Sequence, residues 1–311
     1  MRRVLILMAT ALAALVVVAC ADDGGEDGSR LTVVTTLPVF EDMVREIGGD
    51  RVAVSSLLPP GSDPHTYEPT PREVATLSGA DLVLSNGLQL EGGSTGEIID
   101  SNLGGDASHV RLAEEAEEAG AFVRELEEGE EHEGEDAHGD EDPHLWLSVD
   151  NAREYAAVIL DALTDADPKG APEYEANYED YLSRLDELDG YVADTLSGLP
   201  EANRKLVTTH DAFGYMADYM GLEIVAFVVE SPGQEPSAQD VASLVEAIED
   251  SAVPAVFEEP QLGGSGTVLE RAAADAGAEV CTLYSDALDD RVPTYIDLIR
   301  FNADEIARCL G

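Results

Sequence analysis

Residues 172–196, PEYEANYEDYLSRLDELDGYVADTL, are the stretch of sequence on which the predicted fold depends. Apolar side chains recur every three or four positions along it: Tyr174, Tyr178, Tyr181, Leu185, Leu188, Val192 and Leu196. This spacing predicts one amphipathic helix of about 37 Å at 1.5 Å per residue. Such a helix is long enough to pack against two bodies in succession. We therefore predict a rigid connecting helix over 172–198; the alternative is an ordinary helix inside one domain.

Short strands and helices alternate on both sides of this helix. Strands are predicted at 31–37, 52–58, 80–85, 205–208, 223–229, 255–258 and 279–284. Helices are predicted to begin at Pro38 and at Pro71, the second with Thr70 as its N-cap. Further helices are predicted over 212–220, 237–251 and 267–276, and a last helix ends near Cys309. Residues 263–266 are interpreted as a flexible turn. The alternation predicts an α/β protein with two lobes, 31–171 and 199–311, each a mostly parallel sheet with flanking helices.

The N-terminus indicates where the protein works. Residues 1–19 combine a short basic start with an apolar run, and the run ends in small residues before Cys20, as in a bacterial lipoprotein signal peptide. The run is short for a membrane span, which makes a transmembrane anchor the alternative. Residues 20–30 are rich in Gly and Asp and predict a flexible tether. We expect an extracytoplasmic chain, lipid-anchored through Cys20 at the cell surface or in the periplasm.

The charge of the chain limits its partners. The formal net charge is −48, with 65 acidic against 17 basic residues. Such a surface repels phosphate backbones, which excludes nucleic acid as a ligand. Residues 114–142 hold 15 of the acids in 29 positions and are interpreted as a solvated loop of the N-terminal lobe. His132 and His138 lie among these acids, and we consider them as a possible auxiliary metal-binding pair.

The tripeptide Asp-Pro-His occurs twice, at 63–65 and 142–144, in a chain with six histidines. Proline restricts its own backbone and that of the residue before it, so His65 and His144 are expected on stiff loops suited to a metal site. The alternative is that each tripeptide is merely a polar turn. His210 and Asp286 follow predicted strands of the second half. Three imidazoles and a carboxylate, two ligands from each lobe, form a set suited to zinc.

Two cysteines remain besides Cys20, namely Cys281 and Cys309. In an oxidising compartment we expect them to form a disulfide that holds the last helix to its lobe. The alternative is a pair of buried free thiols.

Six stretches together resemble the cluster A-I solute-binding lipoproteins of bacterial zinc and manganese ABC transporters. They are PGSDPHTYEPTP at 60–71, NGLQLE at 86–91, DPHLWL at 142–147, TTHDAFGYMADYMGLE at 208–223, QEPSAQD at 234–240 and LYSDAL at 283–288. The resemblance covers nearly all of the chain after the tether. It implies two α/β lobes, a rigid backbone helix and a buried metal between the lobes, with ligands at His65, His144, His210 and Asp286.

The resemblance also implies a function. We expect a monomeric, metal-binding component of an ABC importer that captures Zn²⁺, or Mn²⁺, as cargo and delivers it to a membrane permease. Relatives that carry manganese usually have Glu at the third ligand position, where this chain has His210. Four protein ligands leave no metal-bound water to activate, so we expect no enzymatic activity. The alternatives are a surface metal buffer or adhesin, and a zinc-dependent hydrolase.

Overall fold

A four-stranded parallel sheet forms the centre of the N-terminal lobe. The structure is a computed structural model, and it describes residues 30–92, 95–105, 107–125 and 141–311, without the side chains of 264–266. Its strands are β1 (Leu31–Thr35), β2 (Val52–Ser56), β3 (Leu82–Ser85) and β4 (Ser108–Arg111), in the order β2-β1-β3-β4. Five helices accompany them: α1 (Pro38–Gly48), α2 (Pro71–Leu77), α3 (Thr95–Asn102), α4 (Leu112–Ala119) and α5 (Val149–Ala166). The inner strands are Val- and Leu-rich because helices cover both faces of a parallel sheet.

The long helix α6 extends over Ala171–Leu196, with Pro172 in its first turn. Its buried positions are Tyr174, Tyr181, Leu185, Leu188, Val192 and Leu196, which follow the predicted apolar stripe. Along this stripe α6 packs against α1 and α5 of the N-terminal lobe. It also packs against the last helix of the chain, where the hydroxyl of Tyr191 donates to Asp304 over 2.7 Å. One helix thus contacts both halves of the molecule.

The C-terminal lobe contains four more parallel strands in two pairs. The strands are β5 (Lys205–His210), β6 (Glu223–Val229), β7 (Ala255–Glu258) and β8 (Glu279–Thr282), paired as β5-β6 and β7-β8. The helices are α7 (Gly214–Met220), α8 (Ala238–Ser251), α9 (Gly263–Ala276) and α10 (Tyr295–Leu310). Strands β5 and β7 lie side by side, and the hydroxyl of Thr209 donates to the carbonyl oxygen of Phe257 over 3.5 Å. Cys281 in β8 and Cys309 in α10 are joined by a disulfide.

The predicted α/β class and its parallel sheets are confirmed. The capping of α2 also follows the prediction, because the Thr70 side chain accepts from the Glu73 backbone while Glu73 accepts from that of Thr70. Four elements were not predicted: α3, α4, α5 and β4. Strand β4 is the short sequence SHVR at the edge of the sheet, and a four-residue edge strand carries too little alternation to be recognised.

The predicted solvated loop over 114–142 is wrong at both of its ends. Its first residues complete α4, where Ala116 is buried. At the other end Asp142 is buried, and its backbone N–H donates to the Arg124 carbonyl over 3.0 Å. Arg124 in turn pairs with Asp218 of α7. The acidic composition concealed these contacts, because single buried alanines and ion pairs to a distant helix leave no local pattern. His132 and His138 lie outside the described residues.

The turn predicted at residues 263–266 is also wrong, because helix α9 begins at Gly263. Glycine lowers helix propensity, which favoured the turn, but packing of α9 on α8 and on β7 outweighs this local preference. In the part of the chain that the structure describes, no helix has the length and apolarity needed to cross a membrane. The predicted signal peptide (1–19), Cys20 and all but the last residue of the tether lie outside that part.

Candidate metal site

The four predicted ligands come together, three of them at or after the carboxyl end of a strand. His65 lies on the loop after β2, His144 precedes the turn Leu145–Leu147, and His210 is the last residue of β5. Asp286 follows β8. One ligand atom from each residue lies within 4.8 Å of the other three. His144, His210 and Asp286 are fully buried, and the His65 side chain is 3% exposed. The structure therefore forms an enclosed cluster with two side chains from each half of the chain.

The three imidazoles form a nearly equilateral triangle. Their ring centroids are 5.3 Å apart for His65 and His144, 5.4 Å for His65 and His210, and 5.3 Å for His144 and His210. Nε2 of His65 and Nε2 of His144 are 3.3 Å apart. Two ligands at Zn–N distances of 2.0–2.1 Å in a tetrahedral site are separated by about 3.3 Å. The Asp286 carboxylate completes the set, with oxygens 3.9 Å from Nε2 of His65 and 3.8 Å from that of His144.

The aspartates of the two Asp-Pro-His tripeptides support their histidines in different ways. Asp63 Oδ1 accepts the backbone N–H of His65 over 3.1 Å. Asp142 Oδ1 accepts the backbone N–H of His144 over 3.0 Å and also lies 2.8 Å from its ring atom Nδ1. A carboxylate at Nδ1 retains the proton there and leaves the Nε2 lone pair directed at the cluster. The second tripeptide therefore contains both a predicted ligand, His144, and the carboxylate that orients it.

Glu259 performs the same task for the C-terminal lobe. This buried residue directly follows β7, and its Oε1 lies 2.8 Å from Nδ1 of His210. Its Oε2 accepts the hydroxyl of Ser285 over 2.6 Å, and that hydroxyl lies 3.0 Å from Asp286 Oδ2. The Gln261 amide also donates to Ser285 over 2.8 Å. A single network thus fixes both C-lobe ligands. Sequence reasoning missed Glu259, although its position after a buried strand matches those of the ligands.

The charges in this network shift the pKa values of two ligands. Burial lowers the pKa of His210, but the charge and hydrogen bond of Glu259 and the charge of Asp286 outweigh it and raise this pKa to about 9. Burial raises the pKa of Asp286 to about 7, against the lowering effect of His210. Burial also raises the pKa of Asp63. Protons therefore compete with a metal ion for His210 and Asp286 across the neutral range.

Nε2 of His210 and Oδ1 of Asp286 are buried and have no hydrogen-bond partner among the described residues. Buried polar atoms in folded proteins are nearly always satisfied, so each such exception needs an explanation. Both atoms belong to the set of four, and both are good ligands for a divalent cation. The donor set and its unsatisfied atoms fit a bound metal ion.

The two lobes are joined directly beside the cluster. Trp146, two residues after His144, donates its indole N–H to the carbonyl oxygen of Ser285 over 3.0 Å. Tyr295 donates its hydroxyl to the Trp146 carbonyl oxygen over 2.9 Å. On one side of the cluster a cavity of about 650 Å³ reaches His65, lined by both lobes, with Ser231, Pro232 and Gly233 on the C-terminal side. These contacts define a closed cleft with its site at the junction of two lobes.

Two α/β lobes on one long helix, with a buried cluster of metal-ligating side chains between them, define a two-lobe binding protein. Comparison with known proteins identifies the family. Residues 33–309 match the family described as zinc-uptake complex component A, periplasmic (ZnuA), and the chain belongs to that family. The predicted relationship is thereby confirmed, and with it the role of metal-binding component of an ABC importer.

Individual relatives differ in the metal for which they are named. The manganese-binding lipoprotein MntA of Halalkalibacterium halodurans is 32% identical over 98% of this chain and 97% of its own length. The iron-binding protein YfeA of Yersinia pestis is also 32% identical, over 94% of this chain and 91% of its own. The periplasmic zinc-binding protein TroA of Treponema pallidum has a solved structure with a TM-score of 0.79 and 30% identity, covering 91% of this chain and 99% of that one.

Proposed function

We propose that this protein captures one Zn²⁺ ion as cargo through His65, His144, His210 and Asp286 and delivers it to a membrane permease of the ABC class. The observation that supports this most is the convergence of four ligand atoms within 4.8 Å, two from each lobe. Neither lobe has enough ligands to hold the ion tightly alone. Separation of the lobes therefore divides the ligand set, which gives a physical route from tight capture to release.

The chemistry of the ligands favours zinc over manganese. Three imidazoles and one carboxylate are a borderline-soft set, whereas manganese prefers oxygen ligands. The separation of 3.3 Å between two Nε2 atoms also fits the short bonds of a tetrahedral zinc site. Manganese is the second candidate, since MntA is named for it and the Asp286 carboxylate is an oxygen ligand of the kind that manganese prefers.

We further propose that the protein acts outside the cytoplasm as a monomer anchored through a lipid on Cys20. The sequence before Cys20 supports this, and MntA is named a lipoprotein. In cells that express the full chain, a radiolabelled fatty acid is expected to be incorporated into the protein and not into its Cys20→Ala variant. No incorporation into the unaltered protein would favour a transmembrane anchor instead.

A surface metal buffer or adhesin would use the same four ligands. The importer and buffer roles predict different effects of deleting the gene. An importer component is required for zinc accumulation at low external zinc, and the permease genes are required equally. Uptake of radioactive zinc that is unaffected by deletion of this gene would favour the buffer.

A hydrolase is disfavoured by the surroundings of Ser85, a candidate nucleophile on the wall of the 650 Å³ cavity. Ser85 lies 2.9 Å from Nε2 of His109, which also lines the cavity, and Asp100 lies 2.9 Å from Nδ1 of the same ring. An acyl-transfer site also needs N–H groups for an oxyanion. The two N–H groups that follow Ser85, those of Asn86 and Gly87, donate to the Glu91 carboxylate. We expect no turnover of ester or peptide substrates.

The direct test is isothermal titration of chelator-treated protein with Zn²⁺. One tight zinc per chain is expected, and the His210→Ala variant is expected to lose tight binding. The control is His109→Ala, which removes a partly buried imidazole outside the cluster and should leave zinc binding unchanged. Equal affinities for the unaltered protein and His210→Ala would refute the ligand assignment.

The choice of metal is tested by competition between Zn²⁺ and Mn²⁺. The unaltered protein is expected to retain zinc in excess manganese. His210→Glu replaces a nitrogen ligand by oxygen and is expected to lower the preference for zinc. A stronger affinity of the unaltered protein for manganese would overturn the assignment of zinc and leave the ligand set in place.

A further inference from the structure

Three consecutive residues beside the cluster adopt left-handed backbone conformations. They are Gly87, Leu88 and Gln89, with φ of 84°, 48° and 62°. Glycine adopts such angles freely, but two side-chain-bearing residues in succession are uncommon. Backbone strain of this kind persists only where the surroundings enforce it, and it concentrates at functional sites. Contacts with neighbouring residues must therefore hold this turn in its conformation.

The Glu91 carboxylate holds the turn. Oε1 accepts the backbone N–H of Asn86 and the hydroxyl of Thr36, both over 2.6 Å, and Oε2 accepts the backbone N–H of Gly87 over 3.1 Å. Glu91 is buried, and hydrogen bonds to a charged acceptor are stronger in such surroundings. The segment 86–92, here called the bracket, is thus a rigid unit closed by its own side chain.

The bracket contacts the loops of both N-lobe histidines. The Asn86 amide donates to the carbonyl oxygen of Pro143, directly before His144, over 2.9 Å. The Tyr155 hydroxyl donates to Asn86 Oδ1 over 2.7 Å and so fixes the orientation of that amide. At its other end Gly92 lies against His65 so closely that a Cβ there would be 2.2 Å from the His65 carbonyl oxygen. One rigid unit therefore contacts both Asp-Pro-His loops, although 79 residues separate the two histidines.

We propose that the bracket sets the separation of the two N-lobe imidazoles and that Asn86 and Gly92 are positioning residues for metal binding. The inference deepens the proposed function and depends on it, because it concerns the same site. Both histidine backbones rest on one strained turn, which holds the two Nε2 atoms 3.3 Å apart. A preformed ligand pair loses less freedom on binding and therefore binds more tightly.

The test compares two glycines near this turn. Gly92→Ala forces a methyl group against the His65 carbonyl oxygen, whereas a Cβ at Gly96, in α3, would meet no atom within 4 Å. Gly92→Ala is expected to bind zinc at least tenfold more weakly and to change the visible absorption spectrum of bound Co²⁺, which reports ligand geometry. Gly96→Ala is expected to match the unaltered protein in both measurements. A general loss of stability would not change the Co²⁺ spectrum of the folded fraction.

A second variant keeps the test informative if Gly92→Ala does not fold. Glu91→Gln preserves the size of the side chain but replaces one acceptor of the turn by an N–H donor. Like Gly92→Ala, it is expected to bind zinc more weakly and to change the Co²⁺ spectrum. Zinc affinity and a Co²⁺ spectrum like those of the unaltered protein, in whichever of these variants folds, would overturn the role of the bracket. His144→Ala separates the two hypotheses, because unchanged zinc binding in that variant would overturn the proposed function itself.

Discussion

Glu259 lies 2.8 Å from Nδ1 of His210, although 49 residues separate the two in the chain. Both are buried, and the carboxylate retains the proton on Nδ1, so Nε2 presents its lone pair to the cluster. Asp142 has the same relationship to His144 over 2.8 Å. Each lobe therefore provides one imidazole that a buried carboxylate orients.

Loss of the carboxylate at Glu259 should weaken zinc binding without removing a ligand. Glu259→Gln keeps the shape but removes the charge that orients the ring, and partners of this kind typically contribute 10–100-fold in metal affinity. We expect a loss of about that size in titrations with Zn²⁺. The matched control is Glu258→Gln at the preceding position, which should bind like the unaltered protein. Equal affinity in both variants would contradict the orienting role of Glu259.

Zinc affinity should rise steeply with pH through the neutral range. The metal needs a neutral His210 and an ionised Asp286, whose pKa values are raised to about 9 and about 7. Between pH 6 and pH 8 one proton competes with zinc for His210, so zinc affinity is expected to increase about 100-fold or more over this range. An ordinary imidazole pKa near 6.5 would instead give a nearly flat response above pH 7. Zinc affinity measured at each pH by competition with a chelator of known pH dependence distinguishes the steep response from the flat one.

The metal-free protein should lose stability over the same pH range. The folded-state pKa of His210 lies above its unfolded value, so its contribution is present below pH 6.5 and is lost as pH rises through about 9. The pKa of Asp286 is raised as well, so its neutral carboxyl stabilises the fold at low pH, and this stabilisation is lost as the pH rises through about 7. The increase in melting temperature on zinc addition is therefore expected to be larger at pH 8 than at pH 6. An increase that shrinks with pH would contradict both shifts.

Closure of the cleft should be sensitive to an added side chain at Gly233, which faces Thr66 of the opposite lobe. A Cβ at Gly233 would lie 3.0 Å from the Thr66 Cγ2 atom of the opposite lobe. Gly233→Ala is expected to strain the closed form by about 1 kcal/mol and to speed zinc release roughly fivefold. Stopped-flow mixing of the zinc-loaded protein with a chelator measures this rate.

Two further variants separate this contact from backbone strain. Gly61→Ala has the same left-handed strain, at φ of 77° against 90° for Gly233, but its Cβ meets no atom within 4 Å, so release should be unchanged. Thr66→Ser removes Cγ2 and retains the hydroxyl that donates to Asp63. Combined with Gly233→Ala it should restore slow release. Fast release in the double variant would assign the effect to strain alone.

The disulfide between Cys281 and Cys309 should stabilise the fold without affecting the site. It closes a loop with a sequence separation of 28, for which loop-closure entropy gives about 3 to 4 kcal/mol of unfolding free energy. The double variant Cys281→Ala and Cys309→Ala is expected to lose about this amount in urea unfolding while zinc affinity stays the same. Unaltered protein treated with reductant should unfold like the double variant. Equal stability before and after reduction would contradict this role.

The histidines of the candidate site could be predicted from the sequence because each has a local signal. His65 and His144 follow the stiff Asp-Pro pair, and His210 ends a β-branched strand. Asp286 was recognised more through the family resemblance than through its own surroundings. The bracket was visible only as the string NGLQLE, because a left-handed turn containing Leu88 and Gln89 follows from no local preference. It forms because the buried Glu91 carboxylate gathers the surrounding N–H groups.

By itself the sequence determined the α/β alternation, the long helix α6 and the four residues suited to a metal. Apolar periodicity and proline act over a few residues, so the chain displays them locally. Only the tertiary structure decided that these side chains meet, that Glu259 and Asp142 orient two of the rings, and that Asn86 and Gly92 contact both histidine loops. Each of these relationships requires burial and packing of distant segments, and the free energy of burying a carboxylate is compensated only when its partners arrive from elsewhere in the fold.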